Sequence, residues 1–296
     1  MDFKLYKDVQ EFNNDIYSQL MRDEAANIMF LGDLAVGLAV KECAKQGWKD
    51  TSKWYMATVK DSGNCVLAAL MVPGDKLQLC AFEDFTNNTA QAVELLVKEL
   101  INTDISVEGV YTQAVLGLAF AEAYADFTKI KYEVKEERSY LLNAINQSTQ
   151  TRGAFRLAEK KDLSFIPYWR EDFFAAHKTS GQNISEDLSG YEGMIDAENL
   201  YILEVDGVAV SMGRIDHKTK NVCGLGLIYT PPYFRNKGYG TAITAHISKI
   251  CLDEGYICTL TADLSNPVSN SIYQKMGYRP LCDMVSITFE NIVNKL

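Results

Sequence analysis

Residues 235–240 read Arg-Asn-Lys-Gly-Tyr-Gly, and residues 266–278 read Asn-Pro-Val-Ser-Asn-Ser-Ile-Tyr-Gln-Lys-Met-Gly-Tyr. The first stretch follows the apolar, strand-like Val222–Tyr229 and precedes a segment with Ile243, Ile247, Ile250 and Cys251 on one helical face. The second follows a further strand, Ile257–Ala262, and opens a helix expected over Pro267–Met276. A loop between strand and helix offers unpaired backbone N–H groups and the positive end of a helix dipole, a natural seat for phosphate. Gly238 and Gly240 let the backbone approach a pyrophosphate, and Arg235 and Lys237 add positive charge beside it. A strand-to-helix turn whose glycines serve geometry alone reads the same, so this stretch by itself leaves both alternatives open. Two other nucleotide motifs fail. GxxxxGK[ST] is absent, and a dinucleotide fingerprint wants a small residue where Ile243 stands.

Working outward, the same order of elements occurs twice. In the first half, strands at Trp54–Val59 and Val66–Val72 flank the turn Asp61-Ser62-Gly63-Asn64, and Pro73-Gly74 leads into a third strand, Leu77–Phe82. A helix with Val93, Leu96, Val97, Leu100 and Ile101 on one face follows. The strand Val107–Thr112, a helix over Ala114–Phe127 and the strand Tyr132–Leu142 complete the half. In the second half, Leu200–Val205 and Val208–Ile215 flank Asp206-Gly207, Val222–Tyr229 makes the third strand, and Tyr278–Phe289 is the last. Helical segments open each half, at Val9–Leu20 and Ala25–Lys45, then at Lys161–His177 and Ser185–Ile195. The polar run from Asn146 to Gly153 is the expected linker, giving α/β domains over 1–145 and 153–296.

Together, strand–RxxGxG–helix–strand–NxxSxxxYxxxGY resembles the acetyl-CoA site of the GCN5-related N-acetyltransferase (GNAT) family. The signature covers roughly residues 154–290, and the first half resembles the family only in its order of elements, as in tandem-domain members. The resemblance implies two tandem acyl-CoA N-acyltransferase-like domains of α/β (α+β) class, each a mixed, mostly antiparallel sheet flanked by helices. It further implies that Leu227, Ile228, Tyr229 and Thr230 pair edge-on with the pantetheine arm of acetyl-CoA. The loop Arg235, Asn236, Lys237, Gly238, Tyr239 and Gly240, with Thr241, holds the pyrophosphate. Asn266 bonds the pantetheine or thioester region, Ser269 supplies a small residue, Lys275 reaches toward the adenosine phosphate, and Tyr273 points at the thioester sulfur. The reaction implied is transfer of acetyl from acetyl-CoA to a primary amine of a small molecule or peptide by direct attack.

The chemistry asks for an acid and a base. A phenol, with a reference pKa of about 10, can donate to a leaving thiolate whose conjugate acid lies near 8.5, which suits Tyr273; packing beside Met276 and Tyr278 is the alternative. The resemblance suggests a strand carboxylate as base, but Val222–Thr230 contains none. Asp263 is the candidate taken instead, with a turn or helix-cap role before Asn266 as its alternative; Glu204 and Asp216 rank below it. An acyl-CoA-binding module without turnover, or a transferase using a longer acyl chain, stays open on these residues.

The corresponding loop of the first half, Glu83-Asp84-Phe85-Thr86-Asn87-Asn88, has no glycine pair and no basic residue, and two carboxylates oppose a pyrophosphate. That domain is expected not to bind CoA. The helices opening the second half carry Tyr168, Trp169, Phe173, Phe174 and Tyr191 beside Asp172, Glu186, Asp187 and Glu192. This is either a lining for a cationic amine or core packing with a solvated charged face. The formal charge of −10 over 296 residues argues against a nucleic-acid partner, tRNA included. Seven scattered cysteines without a CxxC pair and three isolated histidines offer neither a disulfide framework nor a metal site. No apolar run approaches the roughly 20 residues of a membrane span, and no secretory signal opens the chain, so a cytoplasmic location is expected.

Overall fold

The computed structural model describes residues 1–43, 50–146, 153–176 and 189–290. The expected linker residues 147–152, and His177, Glu186 and Asp187, lie outside the described residues. The chain divides into two compact units, Met1–Arg138 with Cys282–Leu296, and Ser139–Leu281.

The first unit runs β1 (Asp2–Tyr6), α1 (Val9–Leu20), α2 (Ile28–Cys43), β2 (Tyr55–Asp61), β3 (Asn64–Met71), β4 (Leu77–Ala81), α3 (Asn87–Asn102), β5 (Gly109–Gln113) and α4 (Ala114–Thr128). Asp8 caps α1 by accepting from the Gln10 and Glu11 N–H groups, and Val9, Phe12, Ile16 and Leu20 form its buried face. The β2–β3 turn places Ser62 and Gly63 at φ 49° and 85°, the left-handed pair of a tight hairpin; Asp206 and Gly207, at 52° and 77°, make the same turn in the second unit.

Next come β6 (Tyr132–Leu142), β7 (Ala154–Leu157), α5 (Ile166–Ala176), α6 (Ser189–Asp196), β8 (Leu200–Val205), β9 (Val208–Lys218), β10 (Val222–Tyr229), α7 (Tyr239–Asp253), β11 (Ile257–Asp263), α8 (Pro267–Met276) and β12 (Arg279–Phe289). The sheet of the first unit has the order β1-β2-β3-β4-β5-β12, and that of the second β7-β8-β9-β10-β11-β6. In each, the first three pairings are antiparallel and the fourth, β4–β5 or β10–β11, is parallel. These are the mixed, mostly antiparallel sheets flanked by helices that the sequence implied.

The closing strands are exchanged. Met284–Thr288 pair antiparallel with Gly109–Gln113, and Val285, Ile287 and Phe289 lie in one core with the buried faces of α3 and α4. Tyr140 and Leu142 instead pack with α7 and β11 residues in the second unit. The division therefore differs from the expected 1–145 and 153–296, because the alternating Val285-x-Ile287-x-Phe289 face completes the first core. Ile287→Val is expected to cost about 1 kcal/mol. The loss should appear as faster amide exchange in α3, α4 and β5; exchange changed only in α7 and β11 would contradict the assignment.

Two edge strands, β1 and β7, went unread in the sequence, being only five and four residues long. The helix expected over Lys161–His177 is a 3-10 turn at Lys160–Ser164 followed by α5.

Candidate active site

The site is made by β10 parting from its neighbour. Parallel pairing with β11 joins Val222–Leu225 to Ile257–Leu260, and no pairing between them continues past Leu225, although β10 reaches Tyr229 and β11 reaches Asp263. On the other side, the register with β9 shifts between Gly226 and Tyr229. Leu227 sits within this bulge at φ 51°. A left-handed leucine costs about 1–2 kcal/mol and is held only where packing over-determines it. The bulge reverses the strand's alternation. Cys223 and Leu225 belong to the core shared with α7, whereas Leu227 and Tyr229 pack with Ile166, Trp169 and Tyr191 of α5 and α6. Ile228 turns to the α7 side.

Past the bulge the strand is anchored. Ser211 Oγ donates to the Tyr229 carbonyl (2.9 Å) and shares a hydrogen bond with Thr230 Oγ1 (2.9 Å). The Tyr229 hydroxyl donates to Asp172 Oδ2 of α5 (2.9 Å). Burial, with Asp172 beside it, pushes this phenol up to about 12. Asp172 is thus a support of β10, a role that only the packing of α5 on β10 reveals.

A 3-10 turn at Pro232–Phe234 leads into the glycine-bearing loop. Arg235 Nε donates to the Thr230 carbonyl (3.0 Å), folding the loop back on the strand end. Asn236 and Gly238 both adopt left-handed backbone, φ 63° and 81°. Gly238 is the N-cap of α7 and no side chain caps that helix, so none of its first N–H groups is spent on a side-chain cap. A Cβ at Gly238 would meet nothing within 4 Å, so its space is open toward a ligand while its φ favours glycine. Arg235, Asn236, Lys237 and Gly238 are exposed; Tyr239, Gly240 and Thr241 are half-buried. An uncapped helix start flanked by two exposed cations fits a pyrophosphate.

The equivalent place in the first unit is spent on capping. There the Thr86 N–H donates to Thr89 Oγ1 (3.2 Å), which donates to the Asp84 carbonyl (3.3 Å). With Glu83 and Asp84 before it, the start of α3 is closed and acidic.

Asn266 is the N-cap of α8: its Oδ1 accepts from the Ser269 N–H (3.2 Å) and its side chain is exposed. Ser269 and Tyr273 follow on the same helix and are half-buried, while Lys275 is exposed. The Tyr273 ring lies against Tyr140 (centroids 6.3 Å) and Tyr278 (5.9 Å), and burial pushes its phenol up to about 12. Its hydroxyl has no hydrogen-bond partner among the described residues. Asn270, unremarked in the sequence, ties the helix down. It accepts from the Tyr140 hydroxyl (2.7 Å) and donates to the Asp263 and Asn266 carbonyls (2.8 and 2.7 Å).

The carboxylate candidates separate. Asp263 Oδ1 accepts from the Ser265 N–H (2.7 Å) and Oγ (2.6 Å), the turn geometry of the alternative weighed for it. Glu204 is committed to Arg156 Nη2 (2.6 Å). Asp216 is half-buried, against Gly226. Of the expected acceptor lining, Trp169 and Tyr191 are core residues and Tyr168 is exposed. Arg170 lies over the Phe174 ring (4.6 Å) and faces Tyr191 (5.9 Å). Among the described residues no group of three His, Cys, Asp or Glu could hold a metal ion, and no helix is long and apolar enough to cross a membrane.

The sheet thus splays at a bulge just before a helix that starts on a glycine with no side-chain cap. Residues 163–278 match the model of the Acetyltransferase (GNAT) family. Solved structures share the fold along nearly the whole chain. A Drosophila protein has TM-score 0.66 and 10% identity, covering 97% of this chain and 98% of its own. A GNAT-family acetyltransferase from Colwellia psychrerythraea has TM-score 0.57 and 12% identity, covering 98% and 100%. A GCN5-related N-acetyltransferase from Sphaerobacter thermophilus has TM-score 0.56 and 12% identity, covering 97% and 95%. No curated protein matches the chain significantly.

Proposed function

We propose that this protein is an N-acetyltransferase that passes the acetyl group of acetyl-CoA to a primary amine of a small molecule or peptide by direct attack. The observation that carries the reading is the pairing of the β10–β11 splay with the uncapped start of α7. An extended, amide-bearing arm can lie along Leu227–Thr230, and its pyrophosphate can rest on the Arg235–Thr241 loop. Bound there, acetyl-CoA supplies an activated acyl carbon. The chain's own residues do the rest. The loop amides, Arg235 and Lys237 hold the diphosphate, with Lys275 toward the adenosine phosphate. The Asn266 side-chain N–H and the small Ser269 border the arm, and Tyr273 keeps a proton ready for the departing sulfur. A backbone N–H at the bulge near Ile228 polarises the carbonyl.

In this reading the first unit is a degenerate domain of the same type that does not bind CoA, since capping and two carboxylates occupy the matching place. The proposed compartment is the cytoplasm, where the protein's free thiols stay reduced. Titration with acetyl-CoA, free CoA and ATP tests the proposal. Binding of acetyl-CoA in the micromolar range, about −8 kcal/mol, without binding of ATP, followed by thiol release with an amine, is expected. No binding of either CoA species would overturn it.

A further inference from the structure

β10 lacks a carboxylate, yet one reaches it from the neighbouring strand. The β9–β10 register pairs Gly224 with His217 and Leu225 with Ile215, so Asp216 is the extra, unpaired residue of a bulge. Its carboxylate folds over Gly226, the residue before Leu227 and just past the last β11 pairing. A Cβ on Gly226 would run into Asp216 Oδ2 and come within 2.8 Å of Cγ, so glycine is what lets the carboxylate lie there. Two bulges on adjacent strands thus bring one carboxylate to the point where the sheet opens.

We propose that Asp216 is a catalytic residue, the group that takes the proton of the acceptor's ammonium beside the bulge of β10. The inference rests on the transferase reading above. The ammonium gives one proton to Asp216, and the freed nitrogen pair forms the C–N bond as the C–S bond breaks. The departing thiolate takes the Tyr273 proton, the nitrogen's second proton restores the phenol, and Asp216 releases its own to water. Nitrogen loses two protons, sulfur gains one, and one goes to solvent.

The charges facing Asp216 set how it can act. Arg214 Nη1 lies 3.4 Å from Oδ1, a long single contact, and Oδ2 has no hydrogen-bond or ion-pair partner among the described residues. His217 follows it on β9, and Arg170 faces it from α5. Burial pushes its carboxyl above the ordinary carboxylate range against the opposing pull of Arg214, His217 and Arg170. A base lifted in this way accepts a proton nearer neutrality than a free aspartate. About a third of the side chain stays open (32%), enough for an acceptor to reach it.

The test uses the full chain and the best substrate from a panel of primary amines: a polyamine, an amino sugar, an amino-acid amide and a lysine peptide. Asp216→Asn is expected to lower kcat/KM about a hundredfold near pH 7 with acetyl-CoA affinity unchanged. The deficit should shrink as pH rises toward the amine's own pKa, where the free base is already abundant. Asp216→Glu should recover part of the rate. Gly226→Ala, which displaces the carboxylate without removing it, should show the same pH signature, and acetyl-CoA affinity reports whether each variant is folded. An Asn variant that binds acetyl-CoA and keeps the wild-type rate and pH profile would overturn the proposal alone. Wild-type protein that binds acetyl-CoA but turns over no amine would overturn the transferase reading beneath it.

Discussion

Arg235→Glu is expected to weaken acetyl-CoA binding by two to three orders of magnitude while leaving the fold intact. Arg235 is exposed beside the start of α7, and the Glu variant loses the hydrogen bond from Arg235 Nε to the Thr230 carbonyl together with the charge. A charge-assisted hydrogen bond to a diphosphate contributes about 1.5–3 kcal/mol. Reversing the charge adds repulsion of about 1 kcal/mol at a few ångströms in a water-exposed setting. The sum, about 2.5–4 kcal/mol, is a factor of about 60 to 700 at 1.4 kcal/mol per decade. An exposed position away from the core changes stability by about 0.5 kcal/mol or less, so the melting temperature serves as the control. Arg235→Lys should fall between the two, keeping the charge and losing the fork geometry. Titration decides it: affinity within about twofold of wild type in the Glu variant would make the loop a strand-to-helix turn and nothing more.

The sequence showed most of the scaffold and the local turns that frame the candidate site. Strands such as Leu200–Val205 and Val222–Tyr229 were readable to the residue, because apolar runs ended at clear turn signals. The loop and α8 were readable because glycine, asparagine and proline have local jobs there. The N-caps Gly238 and Asn266 stand where those residue types say they should. What could not be read depends on partners far along the chain. Period-two alternation puts Leu225 and Leu227 on one face, and only pairing with β9 reveals the bulge that separates them. The same blindness ranked Asp216 below Asp263: its carboxylate stands out only because Gly226, ten residues on, leaves room for it. Tyr229 and Asp172, 57 residues apart, meet only once α5 packs on β10. The placement of β6 and β12 was equally silent, since it rests on pairing and packing partners far along the chain, Gly109–Gln113 for β12 and α7 and β11 for Tyr140 and Leu142.

Tyr273→Phe is expected to lower kcat by about two to three orders of magnitude, with acetyl-CoA affinity unchanged within about threefold. The ring is fixed by Tyr140 and Tyr278, contacts that phenylalanine keeps. The hydroxyl has no hydrogen-bond partner among the described residues, so its removal unpairs nothing and stability should barely move. With its pKa pushed up to about 12, the phenol is protonated throughout the working range. Donation to a free thiolate, whose thiol lies near 8.5, would be uphill by several kcal/mol. Burial raises the thiol's pKa in the same direction, however, which narrows the gap where the bond breaks. The sign follows: a raised phenol pKa keeps the acid form in place until pH nears that value, so Tyr273 contributes no falling limb below about pH 10. The Phe variant's deficit should therefore be constant across pH 6–9, unlike that of Asp216→Asn, which closes as pH rises. A Phe variant with wild-type kcat would leave Tyr273 a packing residue. A deficit that shrank with rising pH would assign it to the amine's deprotonation instead.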